Sequence, residues 1–226
     1  MKKLTLGILL PFCAACSNPA KDIVIHSNPD PVHAYILTLD ASHAPGPIQS
    51  PKGYISFEND YSGRTCMPKS PPLVEWRMSG KRIDFELKPV EGKNNVFESI
   101  IYLDALKDEN YFGKGMCLWR MNMAGVGFVG QGGLGYGAGI GYTKFKDGEE
   151  DTAYYPVSSF TETTEGKIYP IAPAVPTNDF KLDPENSYVN DATKYFPIYI
   201  RVKAKDGSPA LSVMEEYEQR KMKHSK

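Results

Sequence analysis

The chain has 226 residues and nearly balanced charge, with 26 Lys plus Arg against 27 Asp plus Glu. This balance argues against a nucleic-acid-binding protein, because phosphate recognition needs a concentrated positive surface. Aromatic residues make up 12% of the chain, and 20 glycines and 18 prolines accompany them, which favours a turn-rich β protein.

The first residues form a pattern typical of an export signal. Met-Lys-Lys opens the chain, an apolar run extends from Leu4 to Phe12, and Cys13-Ala-Ala-Cys16 follows it. This run is too short to span a bilayer, whereas a basic start, a short apolar centre and small residues together compose a secretory signal. The sequence therefore predicts export, with a signal peptide at residues 1–15.

The two alanines before Cys16 resemble the lipobox of bacterial lipoproteins, in which this cysteine is acylated and becomes the first residue of the mature protein. Cys13 stands where leucine is usual, and as a lipidation site it would place proline and phenylalanine before the cut, where small residues are required. The resemblance implies that Cys16 carries the lipid; the alternative is an ordinary signal peptide cut nearby. In this class of lipoprotein, a residue other than aspartate after the cysteine resembles the outer-membrane sorting signal, and Ser17 stands there. The resemblance therefore also implies lipid anchoring at the outer membrane, facing the periplasm.

After the signal, the sequence predicts a tether and one domain. Residues 16–31 are rich in Asn and Pro and lack an apolar pattern, which predicts a flexible tether. Residues 32–226 contain alternating apolar and polar runs separated by Gly and Pro, which predict strands joined by turns. The predicted strands are 32–39, 54–58, 73–78, 81–88, 96–103, 116–123, 142–146, 152–160 and 195–204.

A short helix is predicted at the C-terminus. It begins either at Ser208-Pro209 or at the capping box from Ser212 to Glu215, and it contains Glu216 and Arg220 at i,i+4 spacing. With the strands, this predicts an all-β fold, an antiparallel β-sandwich with one disulfide and a short C-terminal helix.

The predicted disulfide joins Cys66 to Cys117. These two remain in the domain once Cys13 leaves with the signal and Cys16 takes the lipid, and exported proteins meet an oxidising compartment. The bridge would close a loop of about fifty residues and contribute about 4 kcal/mol by constraining the unfolded chain. Neither cysteine lies in a C-x-x-C motif or close to a histidine, which argues against a redox or metal site.

Residues 125–141 contain nine glycines, and the first six residues match G-x-G-x-x-G. A nucleotide site is not expected, because so many glycines cannot start the helix that this motif needs. One interpretation is a mobile loop or a strand pressed against another backbone. The other is an apolar contact surface for a protein partner, since no charged residue lies between Arg120 and Lys144. The predicted partner contacts are Phe128, Leu134, Tyr136, Ile140 and Tyr142.

No catalytic motif is found: the chain lacks G-x-S-x-G, S-x-x-K and H-E-x-x-H, and its C-x-x-C spacing, Cys13 to Cys16, belongs to the export-signal pattern and not to the domain. The spacing of His26, His33 and His43 does not predict a metal site, and exposed histidines are expected instead. The acidic residues between Asp147 and Asp151 lack the ligand spacing of a calcium loop and indicate a solvated turn. We therefore expect no enzyme activity, no cofactor and no bound metal.

A lipobox followed by a disulfide-closed β domain without a catalytic motif resembles the immunity lipoproteins that neutralise toxic type VI secretion effectors, including phospholipases. The resemblance concerns the architecture of the whole chain, and the lipobox is its only specific motif. It implies a membrane-anchored periplasmic protein that binds a protein partner, without nucleic acid or a small-molecule cofactor. The alternative is a structural or assembly lipoprotein of an envelope or secretion machine.

Overall fold

The computed structural model describes residues 23–59, 66, 80–130, 135–156 and 195–224. Within these ranges the chain forms two antiparallel sheets and one short helix, which confirms the predicted all-β class. The elements are β1 Ala34–Asp40, β2 Gln49–Asn59, β3 Lys81–Glu86, β4 Lys88–Pro89, β5 Val96–Tyr102, β6 Trp119–Val129, β7 Gly135–Gly141, β8 Glu150–Pro156, β9 Tyr195–Ala204 and α1 Val213–His224. The predicted strand 73–78 lies outside the described residues.

The two sheets differ in size. One has five strands in the order β4-β5-β1-β9-β8, and the other has four in the order β3-β2-β6-β7. Every described pairing of these strands is antiparallel. At the centre of the larger sheet, Leu37 lies opposite Ser99 on one side and Val202 on the other. Strands distant in sequence are therefore neighbours in the larger sheet, where β1 lies beside β9.

The inner faces of the two sheets share one hydrophobic core. Side chains alternate across a strand, so every second residue points inward, as predicted for residues 195–204. The buried residues include Tyr35, Leu37, Leu39, Phe196, Ile198, Ile200 and Val202 from the larger sheet, and Ile55, Phe57, Trp119, Met121, Val126 and Phe128 from the smaller one. This shared core makes the fold an antiparallel sandwich.

Helix α1 starts at the predicted capping box. The Glu215 N–H donates to Ser212 Oγ at 3.3 Å, while the Ser212 N–H donates to Glu215 Oε2 at 2.8 Å. These reciprocal bonds satisfy backbone donors at the helix start, and Val213 is the first helical residue. Of the two predicted start points, the structure therefore selects Ser212 over Ser208.

Residues 142–146 form a turn, so the predicted strand there is wrong. The Lys144 N–H donates to Gly141 O at 3.0 Å, and the Phe145 N–H donates to Tyr142 O at 3.4 Å. Phe145 is buried and packs edge-on against Tyr35, with ring centroids 5.2 Å apart. Residues 142–146 therefore form a turn that buries the ring of Phe145, and the apolar residues in this stretch do not mark a strand.

The end of the predicted tether contacts the domain. The Asn28 N–H donates to Ala105 O at 2.8 Å, and the Lys107 N–H donates to His26 O at 3.0 Å. The Asn28 side chain also donates to the carbonyl of Asp104 at 2.9 Å. The predicted domain boundary at residue 32 is therefore too late in the chain, because residues 26–28 already pair with it. Residues 16–22 lie outside the described residues.

Cys66 and Cys117 are both buried and lie 2.5 Å apart. The structure brings them together as predicted, but it does not record a bond between them, so the disulfide stays a prediction. Burial, together with the neighbouring Cys66, raises the pKa of the Cys117 thiol. A reduced Cys117 would thus stay neutral near pH 7 and react slowly.

We expect protein isolated from the periplasm to resist alkylation at both cysteines under denaturing, non-reducing conditions. After reduction, both residues should be labelled, as mass mapping of the peptides would show. Replacing Cys66 and Cys117 together with serine should lower the free energy of unfolding by about 4 kcal/mol. Full labelling before reduction would contradict the disulfide.

Candidate functional site

The outer side of the four-stranded sheet carries a surface almost without side chains. Gly125 lies opposite Gly139, and Gly127 lies opposite Gly137. Their neighbours Phe128, Tyr136 and Ile140 are buried in the core, so alternation turns the glycines outward. We call this surface the glycine face; it consists of Gly125, Gly127, Gly135, Gly137, Gly139 and Gly141.

Two glycines of this face lie close to neighbouring groups. A β-carbon at Gly125 would lie 2.7 Å from the ring and hydroxyl of Tyr54, and one at Gly139 would lie 3.1 Å from the carbonyl oxygen of Ala124. Both distances are shorter than ordinary contacts between non-bonded carbon and its neighbours. At Gly139 the neighbouring group is the backbone of the paired strand, as in the interpretation of a strand pressed against another backbone, whereas at Gly125 it is the side chain of Tyr54.

The other glycines are not required by packing. A β-carbon at Gly127 would lie 3.7 Å from its nearest neighbour, and at Gly135 and Gly141 it would meet nothing within 4 Å. None of these residues is among the glycines with positive φ. Glycine weakens a strand interior because it has no side chain to pack and gains freedom on unfolding. These glycines therefore lower the stability of the strands, and packing within the domain does not explain why they are present.

A groove of about 680 Å³ runs over part of the glycine face. It is lined by Gly127, Gly135 and Gly137, by Phe128, Val129 and Tyr136 beside them, and on the β2–β3 side by three long side chains, Lys52, Tyr54 and Arg82. Gly141 lies on the same strand but does not line the groove. The site is therefore a glycine-rich floor beside one aromatic and cationic wall.

In the wall, the Tyr54 ring lies over Gly125 and the guanidinium of Arg82 lies over the Tyr54 ring. The Tyr54 side chain lies over Gly125, where any β-carbon would collide with it. The guanidinium carbon of Arg82 lies 4.0 Å from the centroid of the Tyr54 ring, a cation–π contact. Arg82 Nε also donates to Asp84 Oδ1 at 2.6 Å. The absence of a side chain at Gly125 therefore sets the position of Tyr54, and Tyr54 in turn orients Arg82.

At one residue of β7, Gly137, the backbone groups on the free edge of the sheet are hydrogen-bonded to a side chain of the other sheet. The Gly137 N–H donates to the Tyr155 hydroxyl at 3.1 Å, and that hydroxyl donates back to Gly137 O. Burial raises the pKa of Tyr155, which keeps the hydroxyl protonated as a donor. Because Tyr155 belongs to β8 of the other sheet, it occupies the place of an additional strand.

The structure corrects the predicted contact residues. Phe128, Tyr136 and Ile140 are only 3%, 4% and 0% exposed, so their side chains pack on the core side of β6 and β7 and are not available for the predicted contacts. Tyr142 is partly exposed and packs against Arg120, whose guanidinium carbon lies 4.6 Å from the ring centroid. Leu134 lies outside the described residues, as does the predicted lipidation site Cys16.

The accessible surface is thus the opposite face of the same hairpin. Sequence reasoning recognised the alternation of glycine with apolar residues but assigned the contact to the apolar side. A second sheet covers that side, and the glycines remain on the surface. Lys52, Tyr54 and Arg82 were not predicted as site residues, because no local signal links them to the glycine segment.

A second concentration of charge surrounds α1, and it is structural. Arg220 bonds to Asp108 Oδ2 at 2.5 Å, to Glu216 Oε1 at 2.5 Å and to the carbonyl of Trp119 at 2.5 Å. His33 is buried, contrary to the expectation of exposed histidines, and its Nδ1 lies 3.5 Å from Glu216 Oε1. These groups are occupied in holding α1 against the sheet.

No group of three His, Cys, Asp or Glu side chains in the described ranges is arranged to hold a metal ion. No helix within the same ranges is long and apolar enough to cross a bilayer. In comparisons with known proteins, no family model, no curated protein and no solved structure matches the chain.

Proposed function

We propose that this protein is a lipid-anchored binding protein of the bacterial outer membrane that engages a protein partner in the periplasm through the part of the glycine face that lines the groove. The observation that carries the proposal is the unexplained glycine at Gly127 and Gly135, which line the groove and where the fold has room for a side chain. Glycine in a strand is common where another molecule approaches the backbone closely. The predicted signal peptide at residues 1–15, followed by Cys16, supports the location.

We further propose that the partner is a toxic effector of a type VI secretion system, with phospholipase effectors included, and that binding neutralises it. This rests on the resemblance of the whole chain to immunity lipoproteins. A flat, rigid face on a sandwich suits inhibition, because a preorganised surface loses little conformational entropy on binding. The domain then acts by occupying the effector, and its own side chains need perform no chemistry.

The test uses the effector encoded by the neighbouring gene, because immunity genes lie beside the genes of their toxins. The effector is expressed in the periplasm with and without this protein, and we expect survival only in its presence. Gly127→Leu should abolish protection, because the new side chain would fill the groove. Gly141→Leu is the matched control, since this position is equally open but lies outside the groove, and it should protect like the wild type.

Unchanged killing in the presence of the wild-type protein would overturn the immunity function and favour an assembly lipoprotein. Equal protection by Gly127→Leu and Gly141→Leu would move the contact away from the glycine face. Thermal unfolding of both variants, measured by circular dichroism, checks that each remains folded.

A further inference from the structure

We propose that the domain contacts the membrane surface with one end of the sandwich, so that the groove is held at the opposite end, towards the periplasm. The contacting surface, which we call the apolar end, consists of Ile23, Val24, Val32 and Met116, and its partner is the phospholipid layer that holds the acyl chains of Cys16. This inference rests on the proposed function, because it requires the anchor at Cys16. It adds the orientation of the domain, which the anchor alone does not specify.

The first argument is the distribution of exposed apolar side chains. Of the seven large apolar side chains that are exposed in the described ranges, three lie close together in the chain: Ile23, Val24 and Val32. A fourth, Met116, precedes Cys117, whose N–H donates to Glu109 O at 3.0 Å, and the Glu109 carboxylate binds His26 at 2.7 Å. Grouped apolar residues on a surface mark a protein or membrane contact, whereas single scattered ones do not.

The apolar end lies where strands of both sheets begin. The His26 carbonyl accepts the N–H of Lys107 at 3.0 Å. The next residue, Asp108, accepts the N–H of Trp119, the first residue of β6, at 2.9 Å. Residues 26–33 then lead into β1 of the larger sheet. The segment that follows the predicted anchor is therefore attached to the domain beside the starts of β1 and β6.

The groove lies at the opposite end of the sandwich. Val129, which lines it, is the last residue of β6. Because a strand rises about 3.3 Å per residue, Val129 lies about 33 Å from Trp119 at the start of β6. Gln49 of β2 is opposite Val129, and the neighbouring Ile48 N–H donates to the side chain of Asn95, which precedes β5, at 3.1 Å. None of the described exposed large apolar side chains lies at this end.

The second argument is the reach of the chain between the anchor and the domain. Eight peptide links join Cys16 to Val24, and they span at most about 29 Å when fully extended. If the groove end faced the membrane, the apolar end would lie about 33 Å above it, which exceeds that reach. If the apolar end faces the membrane, the chain needs no such extension, and Val24 lies against the lipid.

The third argument is that charge neither provides nor opposes this contact. Beside the apolar end, Glu109 pairs with Lys107 at 3.4 Å as well as with His26, and Asp108 pairs with Arg220 at 2.5 Å. Acidic and basic side chains therefore compensate each other there. Transfer of apolar side chains from water to the boundary of the acyl chains then favours the contact.

Fluorescence quenching by brominated lipids measures the contact, because bromine quenches only a tryptophan that reaches the acyl chains. The full-length acylated chain is placed in vesicles of phosphatidylethanolamine and phosphatidylglycerol with brominated acyl chains, and the signal of the two native tryptophans is subtracted. Val24→Trp should lose most of its fluorescence relative to bromine-free vesicles. Asn94→Trp is the matched control, since this exposed residue lies beside Asn95 at the groove end, and it should lose none.

A second reporter leaves Val24 free to be changed. Met116→Trp should also be quenched, and adding Val24→Asp to the same chain should remove that quenching, because a carboxylate resists transfer from water to lipid. Asn94→Asp adds the same charge at the groove end and should change nothing. Added salt should leave the quenching of Val24→Trp intact, and its loss in salt would show an electrostatic contact and overturn the apolar one. Circular dichroism checks that each variant is folded.

The two proposals fail in different ways. If the chain is not acylated and does not bind the vesicles, the anchor in the proposed function is overturned, and the orientation with it. If the acylated chain binds the vesicles but Val24→Trp is quenched no more than Asn94→Trp, the orientation is overturned, while the anchor and the glycine face are unaffected.

Discussion

Replacing Arg220 with alanine is expected to lower the free energy of unfolding by about 3 to 5 kcal/mol, the cost of breaking a buried ion pair on one side. Only 12% of the Arg220 side chain is exposed, and its guanidinium bonds to Asp108, to Glu216 and to the carbonyl of Trp119. Burial opposes the charge, but hydrogen bonds and charges from Glu216 and Asp108 outweigh it and raise the pKa of Arg220. Without the guanidinium, two buried carboxylates lose their cation.

Urea unfolding followed by circular dichroism measures this loss, and hydrogen exchange on α1 shows whether the helix detaches first. Lys221→Ala is the matched control on the same helix. Its side chain is 48% exposed, so the change should stay within about 0.5 kcal/mol. A loss below 1 kcal/mol for Arg220→Ala would show that the cluster does not hold the helix.

Replacing Cys16 with serine is expected to abolish acyl labelling and to release the protein from the membrane. Each buried methylene of an acyl chain contributes about 0.8 kcal/mol to membrane binding, so several chains anchor a protein almost irreversibly. Serine offers no thiol for acylation. Labelling with an alkyne palmitate analogue, followed by membrane fractionation, measures both effects.

Cys13→Ser is the matched control for the anchor, since it removes the neighbouring thiol and should leave labelling unchanged. Labelling that persists in Cys16→Ser and disappears in Cys13→Ser would move the lipid to Cys13. The glycine face belongs to the folded domain, so a version without the lipid should still bind the effector in solution. This separates the anchor from the binding site.

Much of the fold could be predicted because its signals are local. The alternation in residues 195–204 follows from the two-residue period of a strand, and the structure confirms the buried series Phe196, Ile198, Ile200 and Val202. The capping box at Ser212 and the pair of Glu216 with Arg220 are also local, and both are confirmed. The turn at residues 142–146 was missed, because five residues cannot distinguish a short strand from a turn with one buried ring.

The site itself was predicted only in part. Alternation shows that residues 133–142 have a glycine side and an apolar side, yet an apolar side can pack against a partner or against another part of the same chain. The choice depends on the second sheet, whose residues are distant in sequence. Arg82, Lys52 and Gly127 meet only because β3, β2 and β6 are neighbours, and no local pattern encodes that order.

From the sequence alone come the all-β class, the near balance of charge and the prediction of an export signal with a lipobox pattern, since each depends on composition or on residues close together in the chain. The tertiary structure decided which side of the glycine hairpin is exposed, and it joined that side to Tyr54, Arg82 and Lys52. It also places Asp108 in contact with Arg220 and buries His33 beside Glu216. These contacts depend on how two sheets and a helix pack together, and packing of that kind is a property of the whole chain.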